Sequence, residues 1–336
     1  MEQLENFSAG SSDKVEGPLP EKAIKNLAES IYKTLQDEGC QHKDIIGVSS
    51  ELLGFVTSSL DDYEAPSLWR AGELAEPPSF DGPKILIDEV MFLAWLQALK
   101  QYGVARLQNL PDEDGLLERI VGQIGPIRET NFGRQYVLDI KHDPDSLAYT
   151  PSALPLHIDM PSRECPHGIQ FLYIRENSVV GGQGTYVDAY RIAEDMRVEE
   201  PEHFVSLTTD HWQYANRAKD CDYRATGPVV ETDVQGRITG IRYNTFLRSP
   251  MAAPPHIQGR AYRAYRAFCA RAEDPRYLLP VTYNKGDLFA FDNRRALHGR
   301  LAYEDNQGRR FIEGIYADRD DLYSRIRLLK RNQAQA

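Results

Sequence analysis

The sequence predicts a helical front followed by a β-rich core of the sandwich, barrel or jelly-roll kind, with helices packed outside it. Three observations carry this. Apolar residues recur at helical spacing in the first third of the chain. From about residue 135 the texture changes to short alternating segments punctuated by Pro, Gly and Asn. Two helical stretches, "YRIAEDMR" and "GRAYRAYRAFCARAED", interrupt those strands.

In order, residues 1 to 19 are polar and read as a mobile tail. "PEKAIKNLAESIYKTLQ" sets Ile24, Leu27, Ile31 and Leu35 three and four apart, one helical stripe, and Gly39 ends it. "SSELLGFVTSSLDDY" reads as a second helix capped by Ser49 or Ser50. The pair is too short for a core of its own, so residues 20–64 read as a helical appendage or a partner module. "EAPSLWRAGELAEPPSFDGPK", rich in Pro and Gly, reads as a linker into a main domain spanning 65–336. There, "DEVMFLAWLQALKQYG" is a helix with Asp88 as cap and Gly103 as stop; "VARLQNL" is a strand and "DGLLERIVGQIG" a short helix. The predicted core strands are "QYVLDIK", "ALPLHID", "GIQFLYI", "GPVVET", "GRITGIRYN", "LLPVTYN", "DLFAFD" and "RFIEGIYAD".

Composition narrows the function. The chain has 336 residues, beyond the roughly 250–300 that one core sustains, so a large domain with a small one is expected. A formal charge of −11 disfavours nucleic acid and anionic membranes as partners. No apolar run nears the roughly 20 residues that span a bilayer, and the first residues lack a signal-peptide core. Cys40, Cys165, Cys221 and Cys269 are scattered, which indicates neither a zinc knuckle nor a disulfide framework. The expectation is a cytoplasmic enzyme acting on a small molecule.

The segment "ALPLHIDMPS" places His157 and Asp159 two apart, on one face if the run is a strand. One imidazole and one carboxylate suit a divalent metal. Among the remaining histidines His298, in "FDNRRALHGR", has the best setting for a third ligand, 141 residues downstream. Two His and a carboxylate with open positions form the facial triad that binds Fe(II). His142, His167, His203, His211 and His256 lack a paired acid in a strand and read as surface or hydrogen-bonding residues.

"LPLHIDMPSRECPHGIQFLYIRENSVVGGQGTYVDAY" and "DLFAFDNRRALHGRLAYED", with "SLWRAGELAEPPSFD" upstream and "RRFIEGIYADRDDLYSRIRLLK" downstream, resemble the γ-butyrobetaine hydroxylase and trimethyllysine hydroxylase family of taurine-dioxygenase-like oxygenases. The likeness covers residues 67 to 330. It implies an α+β fold whose core is a double-stranded β-helix, a distorted jelly roll, with flanking helices and here a small N-terminal helical segment. It implies Fe(II) held by His157, Asp159 and His298, with 2-oxoglutarate and O2 as cosubstrates. Arg310 then pairs with the distal carboxylate of 2-oxoglutarate, a bidentate charge-assisted contact; Arg309 is the adjacent alternative. Thr185 after "GGQG" is a further candidate for the cosubstrate.

The family's substrates carry trimethylammonium groups, which have no N–H to donate and are recognised by aromatic faces. The resemblance maps the cage onto Phe132, Tyr136, Tyr149, Met160 and Tyr316; Met160 stands where butyrobetaine hydroxylases usually have Tyr, and Tyr136 where Trp is usual. Asn244 and Arg248 fall near the substrate's anionic end. No N-terminal cluster of Cys and His is present, so no structural zinc is expected. The expected function is hydroxylation of an unactivated C–H bond in γ-butyrobetaine or a close analogue. Alternatives are the same chemistry on trimethyllysine, trimethylaminoethylphosphonate or another amino acid or phosphonate, with desaturation or cyclisation as outcomes. From other classes come a catalytically silent jelly-roll binding protein and a zinc hydrolase. The family also implies a homodimer, for which "DDLYSRIRLLKR" is a candidate interface.

Overall fold

The computed structural model describes residues 21–60, 64–139, 149–218, 220–304 and 308–335. The predicted tail and His142 lie outside them. The chain divides into two compact units, 1–64 and 65–336.

The first unit contains α1 (Glu21–Asp37) and α2 (His42–Leu60). Ile24, Leu27 and Ile31 form the stripe on α1 and are exposed. The expected cap of the second helix is displaced: α2 begins at His42, and Ser49 and Ser50 lie inside it. Their hydroxyls donate to the carbonyls of Ile45 and Ile46, one turn back, at 3.0 Å each. Serine satisfied in this way sits inside a helix without ending it.

In the second unit the strands are β1 (Ser79–Asp81), β2 (Val104–Gln108), β3 (Tyr136–Leu138), β4 (Leu154–His157), β5 (Ile169–Asn177), β6 (Gly184–Asp188), β7 (Trp212–Ala218), β8 (Cys221–Gly227), β9 (Val230–Thr232), β10 (Ile238–Ile241), β11 (Leu279–Val281), β12 (Leu288–Asp292), β13 (Ala296–Arg300) and β14 (Arg310–Ala317). The helices are α3 (Gly82–Ile85), α4 (Glu89–Tyr102), α5 (Leu116–Gly122), α6 (Ala189–Glu199), α7 (Pro201–Thr209), α8 (Pro255–Ala272) and α9 (Arg319–Gln335). One sheet runs β1-β2-β12-β5-β14-β3 and a second β11-β6-β13-β4; β7-β8 and β9-β10 form two-stranded ribbons. The architecture is α+β. The long β7–β8 hairpin and α7 were not anticipated from the sequence.

Strand alternation sorts the central strands into two cores. In β5, Phe171 and Tyr173 pack with Phe92, Trp95, Leu96 and Leu99 of α4 and with Leu322, Ile326 and Leu329 of α9. Leu172 and Ile174 point the other way, to a layer shared with Tyr186 of β6, Leu279 of β11 and Ala296 of β13. β12 divides likewise, with Leu288 and Ala290 outward and Phe289 and Phe291 inward. Both faces are covered, which is why "DLFAF" reads as a nearly continuous apolar run. The four-stranded sheet is backed by α6, α7 and α8 through Val187, Leu297, Ile192, Leu207 and Phe268. The two sheets therefore face each other across an apolar layer.

α4 starts and stops as its sequence indicates. Asp88 accepts from the N–H groups of Val90 and Met91, and Gly103 closes the helix at φ 73°. The expected linker, in contrast, is part of the domain. Trp69 is buried and donates its indole N–H to the carbonyl of Tyr102. Arg295 reaches the carbonyl of Ser67 at 2.7 Å. Proline and glycine there reflect an irregular path, and one large aromatic anchors it.

Candidate metal centre and adjoining cleft

His157 ends β4, and His298 is its direct antiparallel partner on β13. Residues opposite each other on neighbouring strands bring their side chains together, and the two imidazole centroids lie 4.3 Å apart. Asp159 comes from just beyond β4 rather than from the strand itself. The strand stops because the Asp159 peptide turns to other partners. Its N–H donates to Asn293 Oδ1 at 2.7 Å, and its carbonyl accepts from Asn293 Nδ2 at 3.1 Å. Ile158 stays in the core on the opposite side. Asp159 Oδ1 then lies 3.2 Å from His157 Nε2 and 3.7 Å from His298 Nε2. The three donor atoms lie within 4.8 Å of one another, and the only such group among the described residues is this one.

The protonation states suit a cation. His157 Nδ1 lies 2.8 Å from the carbonyl of Pro155, so Nδ1 carries the proton and Nε2 presents its lone pair. Burial, with His157 alongside, pushes the His298 imidazole down to about 3. It stays neutral, as a metal ligand must. Burial raises Asp159, but its neighbours His157 and His298 and the hydroxyl of Tyr316 outweigh it and hold the carboxyl well below its ordinary range. Two imidazole nitrogens and one carboxylate oxygen, convergent and mostly shielded from solvent, fit one divalent ion.

The donors open onto a cleft. Its walls include Phe132, Tyr136, Tyr149, Tyr316, Tyr283, Gln170, Arg300 and Arg310. Tyr316 donates its hydroxyl to Asp159 Oδ2 at 2.7 Å and stacks on Tyr136 with centroids 5.2 Å apart. Tyr136 accepts from Gln170 Nε2 at 2.7 Å. Phe132 is 43% exposed at the edge.

Arg310 is buried on the inner side of β14, beside the rings of Tyr283 and Tyr303. Its Nε has no hydrogen-bond partner, and no carboxylate pairs with it among the described residues. Burial lowers its pKa. Arg309 points the opposite way and pairs with Asp139 and Glu176 in solvent. One strand step thus separates a surface ion pair from a buried, uncompensated cation.

Four other sequence candidates lie outside the cleft walls. Thr185 is buried on β6 opposite Gly299. Met160 is buried, with its sulfur 2.7 Å from His167 Nε2. Asn244 uses Oδ1 to accept from the N–H groups of Phe246 and Leu247, which ties it to its own turn. Arg248 lies over the rings of Trp212 and Tyr265 at 4.4 and 4.5 Å. Conversely, Gln170, Tyr283, Arg300 and Asn293 were not singled out from sequence. Gln170 carried a signal, as a polar residue inside an apolar strand. Arg300 carried another, two residues beyond His298 and so on the same face. Its guanidinium donates to the carbonyls of Thr150 and Ser152, and burial with Arg310 nearby lowers it to about 10.

Residues 68–316 match the family model "Taurine catabolism dioxygenase TauD, TfdA family". The chain is 39% identical over 76% of its length to γ-butyrobetaine dioxygenase of Pseudomonas sp. (strain AK-1), 28% over 77% to the human γ-butyrobetaine dioxygenase, and 29% over 78% to the bovine mitochondrial trimethyllysine dioxygenase. These matches span 66%, 68% and 63% of the relatives' own lengths. Among solved structures, the non-heme iron oxygenase OrfP in complex with Fe and α-ketoglutaric acid is similar in fold. Its TM-score is 0.53 at 16% identity, covering 73% of this chain and 87% of that one. AAD-2 in complex with Mn(II) and N-oxalylglycine also gives a TM-score of 0.53, at 15% identity over 66% and 87% of the two chains. With the family model covering most of its length, the chain belongs to the taurine catabolism dioxygenase TauD, TfdA family.

Proposed function

We propose that the chain is an Fe(II)- and 2-oxoglutarate-dependent dioxygenase that hydroxylates an unactivated C–H bond of a small quaternary-ammonium compound, γ-butyrobetaine or a close analogue. The observation that carries this reading is one cleft holding the His157–Asp159–His298 donor set, the buried and unpaired Arg310, and the rings of Tyr136, Tyr149 and Tyr316. The named activities of the similar proteins support it. The catalytic unit is residues 65–336, and its two facing sheets are read as the halves of a distorted double-stranded β-helix.

Each residue has a task under this reading. His157, Asp159 and His298 would hold the iron at the wall of the cleft. Bound there, the iron supplies the coupling of O2 reduction and 2-oxoglutarate decarboxylation to C–H hydroxylation, with succinate and CO2 released. Arg310 pairs with the distal carboxylate of 2-oxoglutarate and fixes its orientation. The aromatic faces hold the trimethylammonium group, at about 0.5–2 kcal/mol per contact, and keep one carbon near the metal. A zinc hydrolase fits less well, because Asp159 is the sole carboxylate among the described cleft-lining residues and a metal ligand cannot also serve as general base. A silent binding protein has no use for three convergent metal donors.

Met160 outside the walls favours an analogue over γ-butyrobetaine itself, with trimethyllysine and trimethylaminoethylphosphonate next. Thr185, Asn244 and Arg248 enter this reading only if substrate binding moves them toward the cleft. All four cysteines are free, which supports a reducing compartment such as the cytoplasm. The family resemblance supports a homodimer. A panel of trimethylammonium acids, phosphonates and free amino acids, assayed by mass spectrometry with Fe(II) and 2-oxoglutarate, tests the substrate class. A gain of one oxygen on trimethylammonium compounds is expected. Oxygen gained only by non-quaternary compounds would refute the role given to the aromatic walls.

A further inference from the structure

Asn293 stands in the short turn between β12 of one sheet and β13 of the other. It is fully buried, with 0% of its surface exposed. Its side chain makes three hydrogen bonds. Oδ1 accepts from the Asp159 N–H at 2.7 Å. Nδ2 donates to the Asp159 carbonyl and to the His167 carbonyl, both at 3.1 Å. A backbone N–H can only donate and a carbonyl can only accept, so the amide orientation is fixed by its partners. The Asn293 N–H also donates to the carbonyl of Gly168 at 2.8 Å.

The held segment is a strained one. Met160, directly after Asp159, has φ 53°, and it shares a positive φ with only one other non-glycine residue among those described. A side chain in this region is strained and persists where the surroundings over-determine it. A primary amide gripping the Asp159 peptide from both its N–H and its C=O does this. Asparagine suits the place by chemistry. Leucine offers no polar atoms, and aspartate offers no donor for two buried carbonyls.

We infer that Asn293 is a positioning residue for the carboxylate ligand: it holds the Asp159 backbone in the turn that aims the side chain at His157 and His298 before any metal is bound. The inference rests on the metal-site reading above and adds to it a residue that touches neither metal nor substrate. His298 follows five residues after Asn293 on the same turn and strand. One short segment therefore supplies the third ligand and sets the direction of the second.

The test reads metal binding by the whole chain, with Co(II) as the probe and visible absorption as the signal. Asn293→Asp keeps the size of the side chain but removes both donated bonds. Partners that orient metal ligands typically contribute 10–100-fold in affinity, and a Co(II) dissociation constant raised by that much is expected. At saturating Fe(II), the KM for 2-oxoglutarate should stay within twofold, a split that general damage to the fold would not produce. A folded Asn293→Asp protein that binds Co(II) within twofold of the parent overturns the inference. If that variant does not fold, hydrogen exchange on the unaltered chain decides. Protection of residues 158–168 already present without metal supports the inference, and protection that arises only on adding Co(II) contradicts it. His157→Ala separates this idea from the reading beneath it. Binding retained in His157→Ala removes the metal site itself, whereas binding lost there and kept in Asn293→Asp removes only the role of Asn293.

Discussion

Arg310 and Tyr316 stand on the same inner face of β14, six residues and about 20 Å of extended chain apart. They reach the cleft in opposite electrostatic conditions. Arg310 is a buried cation with no carboxylate beside it among the described residues. Tyr316 has its polar tip tied to Asp159 and its ring packed between Tyr136 and His167, with centroids at 5.2 and 4.6 Å. The first condition invites an anion. The second leaves π-faces to a cation that brings no hydrogen-bond donor. Under the proposed function, one strand would serve two recognition problems, with the metal donors of the facing sheet between them.

The contrast is broken most strongly at Arg310. Arg310→Ala is expected to raise the KM for 2-oxoglutarate roughly 30-fold or more, since truncating one side of a buried charge pair costs about 2–5 kcal/mol. Arg309→Ala should change it less than twofold, because Arg309 faces solvent. Steady-state kinetics on both variants checks this, and a reversed order would exchange the two assignments. At the other end, Tyr316→Leu is expected to raise the KM of a trimethylammonium substrate by roughly 2- to 30-fold, the span of one cation–π contact. A neutral tert-butyl isostere tested in parallel should bind no worse than before. An equal loss for both compounds would mean that the ring only fills space.

A smaller effect is expected from between these two residues. A Cβ on Gly314 would clash with the Tyr136 ring, so Gly314→Ala must push that ring aside. Overpacking of this kind costs about 1–3 kcal/mol. Thermal unfolding should shift down by a few degrees, and substrate KM should rise a few-fold with the KM for 2-oxoglutarate unchanged. The mildest effect concerns His167, behind Tyr316. Burial chiefly, with Arg128 and Arg163 against Asp159 and Asp318, pushes its imidazole down to about 4. The unfolded chain takes up that proton near pH 6.5 and the folded chain does not. Below pH 6.5 the unfolded state therefore binds more protons, and stability falls as pH falls toward 4, at roughly 1 kcal/mol per pH unit. Urea unfolding across this range, flattened in His167→Gln, measures it.

Much of the centre was legible in the sequence because strand periodicity and ligand chemistry are local. "LPLHID" and "ALHGR" name the three donors, and the resemblance ordered them; their pairing across β4 and β13 then makes a separation of 141 residues into direct contact. The resemblance also placed Arg310 above Arg309, and the two side chains lie on opposite sides of β14. Side chains whose direction is set by tertiary partners were not legible. Asn244 folds back onto its own turn, Arg248 lies on the aromatic rings of β7 and α8, and Met160 turns toward His167. The same holds for elements. Ser49 and Ser50 look like caps until their hydroxyls are seen to bond one turn back. Trp69 turns an apparent linker into packed structure. Asn293 is visible in "FDNRRALHG" only as a polar residue in a turn, because both partners of its side chain lie more than 120 residues away.

The central claim is that the three donors and Arg310 form one working centre. Its most direct measurement is succinate formation from 2-oxoglutarate under Fe(II) and O2, with a trimethylammonium substrate present, in the parent chain and in His157→Ala. Stoichiometric succinate and oxygenated product are expected from the parent, and neither from His157→Ala. Equal turnover by both proteins, or hydrolysis with Zn(II) and no turnover with Fe(II), would contradict it.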